Sequence, residues 1–92
     1  MKTTYKRDFK EWVKKENVQV LNEVHNSDFK IGDIVTFTNE YGVQFENLEI
    51  LGFRNNTDFM PERTVYLDIS SYWFAVKLSE IKKQNYNNIT IN

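Results

Sequence analysis

A mainly β domain with one N-terminal α-helix is the fold class this sequence predicts, on three observations. Residues 5–16 place Tyr5, Phe9, Trp12 and Val13 at i, i+4, i+7 and i+8 with charged residues between them, the 3.6-residue period of an amphipathic helix. After residue 28 that period gives way to short runs rich in β-branched and aromatic residues, separated by Gly, Asn, Asp and Ser. The third observation is length. Ninety-two residues make one domain, able to bury somewhat more than ~60% of the surface its unfolded chain exposes. That is enough for a core and too little for a deep active-site cavity.

The elements follow in order. Thr3 or Thr4 caps the helix, and Asn17 ends it. Residues 18–24 are ambiguous: Val20, Leu21 and Val24 extend the helical face, while Val18-Gln19-Val20 suits an edge strand, the reading favoured here. His25 to Asp28 is a polar connection. Phe29-Lys30-Ile31-Gly32-Asp33 turns into a strand over Ile34 to Thr38, and Asn39 to Gly42 turns out of it. Residues 43–53 read as one long strand bent near Glu46-Asn47, because the apolar phase slips between Phe45 and Leu48.

Residues 54–62, with the only proline, form the longest loop. Thr64 to Ile69 alternates, with Val65, Leu67 and Ile69 inward and Thr64, Tyr66 and Asp68 outward. Ser70-Ser71 then turns the chain into a strand over Tyr72 to Val76, completing a tight hairpin. Leu78 to Ile81 is a single helical turn, and residues 82–92 are an edge strand or a frayed tail. Five short strands, a bent second strand and a late single turn predict a small SH3-like five-stranded barrel over residues 29–81.

Within those residues the chain resembles a group of short bacterial proteins of no assigned activity, carried by phages, plasmids and prophages. The resemblance rests on Phe29-Lys30-Ile31-Gly32-Asp33, Val35-Thr36-Phe37-Thr38-Asn39, Tyr41-Gly42, Ile50-Leu51-Gly52-Phe53, Tyr66-Leu67-Asp68 and Tyr72-Trp73-Phe74. It implies a barrel and a mobile-element origin. It carries over no site.

Composition narrows the chemistry. With no cysteine and one histidine, thiol nucleophiles, disulfides and Cys/His metal centres are excluded, and no cofactor is expected. His25 reads as a solvated loop residue. No pair of carboxylates stands at a spacing that selects a general acid and base, and Gly32, Gly42 and Gly52 do not form a phosphate-cradling loop. The N-terminus lacks the apolar region of a signal peptide, and no apolar run approaches the ~18 residues of a membrane span, so a cytoplasmic protein without membrane contact is expected.

Net charge is −1, but unevenly spread. Residues 1–16 carry six bases against three acids, and residues 17–81 carry four bases against ten acids. The expectation is a non-catalytic binding module, monomer or weak homodimer, that engages a host or phage protein. The residues expected to carry binding are the rings Tyr66, Tyr72 and Trp73 and the helix bases Lys6, Lys10 and Lys14. The same residues suit nucleic acid as an alternative, and the acidic barrel suits a DNA-mimicking inhibitor as another. For the rings, the competing expectation is burial beneath the N-terminal helix, whose Tyr5, Phe9 and Trp12 need a surface to cover.

Overall fold

Helix α1 spans Lys6–Glu16, with Tyr5 at its N-cap and Asn17 at its C-cap. Asn17 adopts the left-handed conformation (φ 55°), and the Val18 N–H donates back to the Val13 carbonyl (2.9 Å). The start is tied down from outside the helix. The Thr4 hydroxyl accepts from the Lys6 N–H (3.2 Å) and donates to Asp68 Oδ2 (2.7 Å), while Asp68 Oδ1 accepts from the Tyr5 N–H. A carboxylate at this end also suits the helix dipole. The computed structural model describes residues 4–24 and 27–84; Thr3, His25 and the tail beyond Gln84 lie outside them.

Five strands form one antiparallel sheet: β1 Ile34–Thr38, β2 Gln44–Phe53, β3 Arg63–Leu67, β4 Val76–Lys77 and β5 Ile81–Lys83, in the order β4-β3-β2-β1-β5. Strand β2 is bent where the apolar phase slips. Val35 faces Leu48 and Phe37 faces Phe45, so β2 carries one extra residue there, and Asn47 takes a positive φ of 61°. β2 pairs with β1 through the bend as far as Glu49, and with β3 from Ile50 onward. Gly32 (φ 97°) and Gly42 (φ 82°) occupy turn geometry that side chains resist. Asn39 holds the second turn, its Oδ1 accepting from the N–H groups of Tyr41 and Val43.

Three expectations need correction. The sheet is not closed into a barrel: β4 and β5 are its edges, and the Lys77 N–H goes to Glu80 Oε1 (3.0 Å) rather than to a strand. Those edges are nevertheless joined by a single 3₁₀ turn, Leu78–Glu80. A flat five-stranded sheet is about 19 Å wide between edge strands, whereas three residues of 3₁₀ helix rise about 6 Å, so the sheet is strongly curled. Second, residues 18–24 form a strap whose backbone joins the sheet through one bridge, Leu21 to Phe53, with paired backbone bonds of 2.8 and 3.0 Å. Third, the strand expected over Tyr72 to Val76 is only Val76–Lys77. Residues 70–73 are turn, because Tyr72 leaves the sheet to stack on Tyr5 (6.2 Å).

The sheet is covered on both faces. Inside its curl lie Val35, Phe37, Ile50, Phe53, Val65, Leu67, Val76 and Ile81, with Leu78 packed at one end. On the outer face Phe9 of α1 meets Tyr66 and Ala75, backed by Trp12, Val13, Val18, Val20 and Leu51. The strap serves both, sending Val18 and Val20 outward and Leu21 and Val24 inward.

Gly52 lets the strap sit this close. A Cβ added at Gly52 stands 2.3 Å from Val20 Cγ1 and no nearer than 3.8 Å to any backbone atom. Gly52→Ala is therefore expected to cost about 1–3 kcal/mol by overpacking, since the β-branched Val20 has few alternative rotamers. Urea denaturation checks it. Adding Val20→Ala to the same chain should recover part of the loss, and if it recovers none, the clash lies elsewhere.

Candidate functional site

Both tryptophans of the chain line one cleft. Trp12 comes from α1 and Trp73 from the β3–β4 turn, with Met60 from the 54–62 loop and Arg54 from the end of β2; the cleft holds about 400 Å³. Trp73 is 51% exposed and stands edge-on to Tyr72 at 5.1 Å between centroids. A second cleft, about 480 Å³, shares Arg54 and Asn55 with the first and is lined further by Val24, Thr64, Lys77 and Leu78. Arg54 thus stands between a ring-lined lobe and a polar one.

The loop that walls both lobes is braced by its own side chains. Asn56 Oδ1 accepts from the Glu62 N–H (2.7 Å), and Thr57 Oγ1 accepts from the Met60 N–H (3.2 Å). Glu62 holds a positive φ of 66°, a conformation costly for a residue with a side chain. The Arg54 N–H donates to the Thr64 carbonyl (2.9 Å), fixing the base of the polar lobe.

Two polar atoms in this region are buried and have no hydrogen-bond partner among the described residues: Arg54 Nη1 and Thr64 Oγ1. Such groups cost about 1–3 kcal/mol each, and more when charged. The other arginine of the sheet region is different: Arg63 lies 4.8 Å from the Phe74 ring centroid, 3.4 Å from the Ala75 carbonyl and 3.8 Å from Glu80.

The six residues singled out from sequence fall into three situations. Tyr66 is 3% exposed, with its ring against Phe9 (5.2 Å) and Trp12 (5.7 Å), so it is a wall of the cleft rather than a free stacking surface. Burial pushes its phenol pKa above the usual value, with Arg54 pulling the other way. Its strand face is outward as expected, but α1 covers that face. Trp73 is open to solvent, and Tyr72 is half-buried behind it. The lysines line neither lobe. Lys6 bonds Glu49 (2.7 Å), whose hydrogen bond and charge raise the lysine pKa; Lys10 and Lys14 are exposed.

Two of the acids behind the DNA-mimic alternative are occupied as well. Glu49 holds Lys6, and Asp68 holds the start of α1.

Arg54, Thr64, Lys77 and Met60 escaped the sequence reading. A signal for Arg54 existed: it follows the inward Phe53, so alternation sends it to the face of Tyr66, and it is one of four bases in residues 17–81. Among the described residues no His, Cys, Asp and Glu cluster could hold a metal ion, and no helix is long and apolar enough to cross a membrane. The chain defines a mainly β domain with one helix on a curled five-stranded antiparallel sheet. No protein-family model, curated protein or solved structure matches it.

Proposed function

We propose that this protein is a non-catalytic binding module of SH3-like architecture that grips a segment of a partner protein in the cleft between Trp12 and Trp73. One observation carries the reading: both tryptophans, a methionine and an arginine converge on one concave surface, with Trp73 half exposed. Trp, Arg and Met are the residues protein interfaces favour, and a ring that ends in a cleft is the usual anchor point. The SH3-like architecture is supported by the long bent β2 shared between two ladders and by the single 3₁₀ turn joining the two edge strands. The resemblance of residues 29–81 to phage, plasmid and prophage proteins supports an accessory role in a mobile element, in the bacterial cytoplasm. A gene standing outside any such element would remove that support.

Nucleic-acid binding is the weaker alternative, since Lys6 is engaged by Glu49 and Glu11 and Glu16 share the helix with Lys10 and Lys14. Affinity capture from bacterial lysate tests the proposal. The unaltered protein should retain a partner at stoichiometric level, and Trp73→Ala should reduce its retention at least tenfold while leaving the thermal midpoint within a few degrees. Equal retention by the two proteins would sink the cleft as the interface. Retention on DNA or heparin that falls steeply across a salt series, with no protein captured, would favour nucleic acid instead.

A further inference from the structure

We propose that the polar lobe beside this cleft is a carboxylate-binding site, built to take a carboxylate on a short apolar stem. Its source is the C-terminal residue of the partner, a choice that rests on the protein-binding reading; the site itself does not. Thr64 carries the argument. It is the residue at which the β3–β4 register slips, since Arg63 faces Lys77 and Val65 faces Val76 with nothing opposite Thr64. A bulge of this kind re-aims a side chain, and such bulges gather beside sites of function. Here it leaves Thr64 only 7% exposed, with its hydroxyl buried and unpartnered among the described residues, and Thr64 is one of the residues around the lobe. Arg54 Nη1 is likewise buried and unpartnered among the described residues, on a side chain that lines this lobe and its neighbour.

Arg54 Nη1 can only donate and the Thr64 hydroxyl can donate as well as accept, so one acceptor group suits both. The charges lining the lobe are Arg54 and Lys77 against Glu62. Nearby Glu80 is taken up by Arg63 and by the Lys77 N–H. The balance of one net positive charge suits a singly charged carboxylate better than a phosphate dianion. Arginine also offers a planar fork that matches a carboxylate. Val24 and Leu78 add an apolar wall for the stem, and about 480 Å³ has room for a residue's side chain and carboxylate together.

Buried without partners among the described residues, these two groups carry a stability penalty that a ligand's acceptors remove. Thr64→Val, of nearly the same shape, should therefore raise the thermal midpoint of the free protein while weakening carboxylate binding. The probes are N-acetyl-leucine, N-acetyl-leucinamide, inorganic phosphate, and a hexapeptide ending in leucine with its terminus free or amidated. Titrations are followed by amide NMR shifts at Arg54 and Thr64. N-acetyl-leucine should bind at least tenfold more tightly than its amide and than phosphate, and Arg54→Met and Thr64→Val should each lower its affinity about tenfold or more. The free-ended hexapeptide should bind more tightly than N-acetyl-leucine, and the amidated one should lose that advantage.

Equal binding of acid and amide, or retention of affinity in both variants, overturns the site. If N-acetyl-leucine binds as expected and the hexapeptide binds no better, the carboxylate site stands and its source is a free small acid. If no carboxylate binds but Trp73-dependent capture persists, this inference fails and the protein-binding reading survives.

Discussion

Replacing Phe53 by alanine is expected to lower unfolding free energy by about 3–5 kcal/mol, a large part of the roughly 5–15 kcal/mol a domain possesses. Phe53 is the largest fully buried side chain among the described residues. It lies at the end of β2, where its backbone bonds both ways to Leu21 of the strap, and its ring packs within the inner cluster. Removing the ring leaves a cavity that neither partner can close, because the Leu21 bridge holds the backbone of the strap and of β2 in place. Chemical denaturation should show a lower midpoint with an unchanged slope, as expected when stability falls without a change in the surface exposed. Phe59→Ala is the control: that ring is 90% exposed, and its loss should change stability by no more than about 0.5 kcal/mol. Similar effects at the two positions would mean that the inner cluster is not the core.

Phe9→Ala is expected to cost a similar amount, about 3–5 kcal/mol, through a different route. Phe9 is the one buried residue of α1, and its ring meets Tyr66 and Trp12. The polar ties between this end of the chain and the sheet include the Thr4 and Tyr5 hydrogen bonds to Asp68 and the Lys6–Glu49 ion pair, at or near the surface. Exposed pairs contribute little and weaken in salt. The apolar contact should therefore dominate. Phe9→Ala should loosen the helix and open Tyr66 to solvent, whereas 1 M NaCl should leave the helix docked. In a Trp73→Phe background Trp12 is the sole indole, and its emission should shift to the red in Phe9→Ala before the sheet unfolds. A helix released by salt and unmoved by Phe9→Ala would reverse this ranking.

Much of the fold was legible because it is written in local periods. The helix ends where Asn17 can turn left-handed, and β1 lies where the β-branched residues stand. The β2 bend falls where Phe45 and Leu48 break phase, with a positive φ at Asn47 to show for it. The strap and the last hairpin depart from the sequence-based expectation for a shared reason. Leu21 belongs beside Phe53 and Tyr72 beside Tyr5, contacts between residues 32 and 67 positions apart, which no local pattern encodes. The candidate site was hidden for the same reason. Trp73 was singled out, but its partners Trp12 and Arg54 come from distant elements, and Thr64 looked like an ordinary outward strand residue.

The sequence by itself determined the helix, the first strands and their turns, the chemistry excluded by one histidine and no cysteine, and the surplus of rings near the last hairpin. Tertiary structure alone decided which rings stay exposed and which polar atoms are buried without a partner among the described residues. Those outcomes depend on where the helix docks and where the β3–β4 ladder slips by one residue at Thr64. Exposure and unmet hydrogen bonds are properties of what surrounds a side chain, and its surroundings are assembled from segments far apart along the chain.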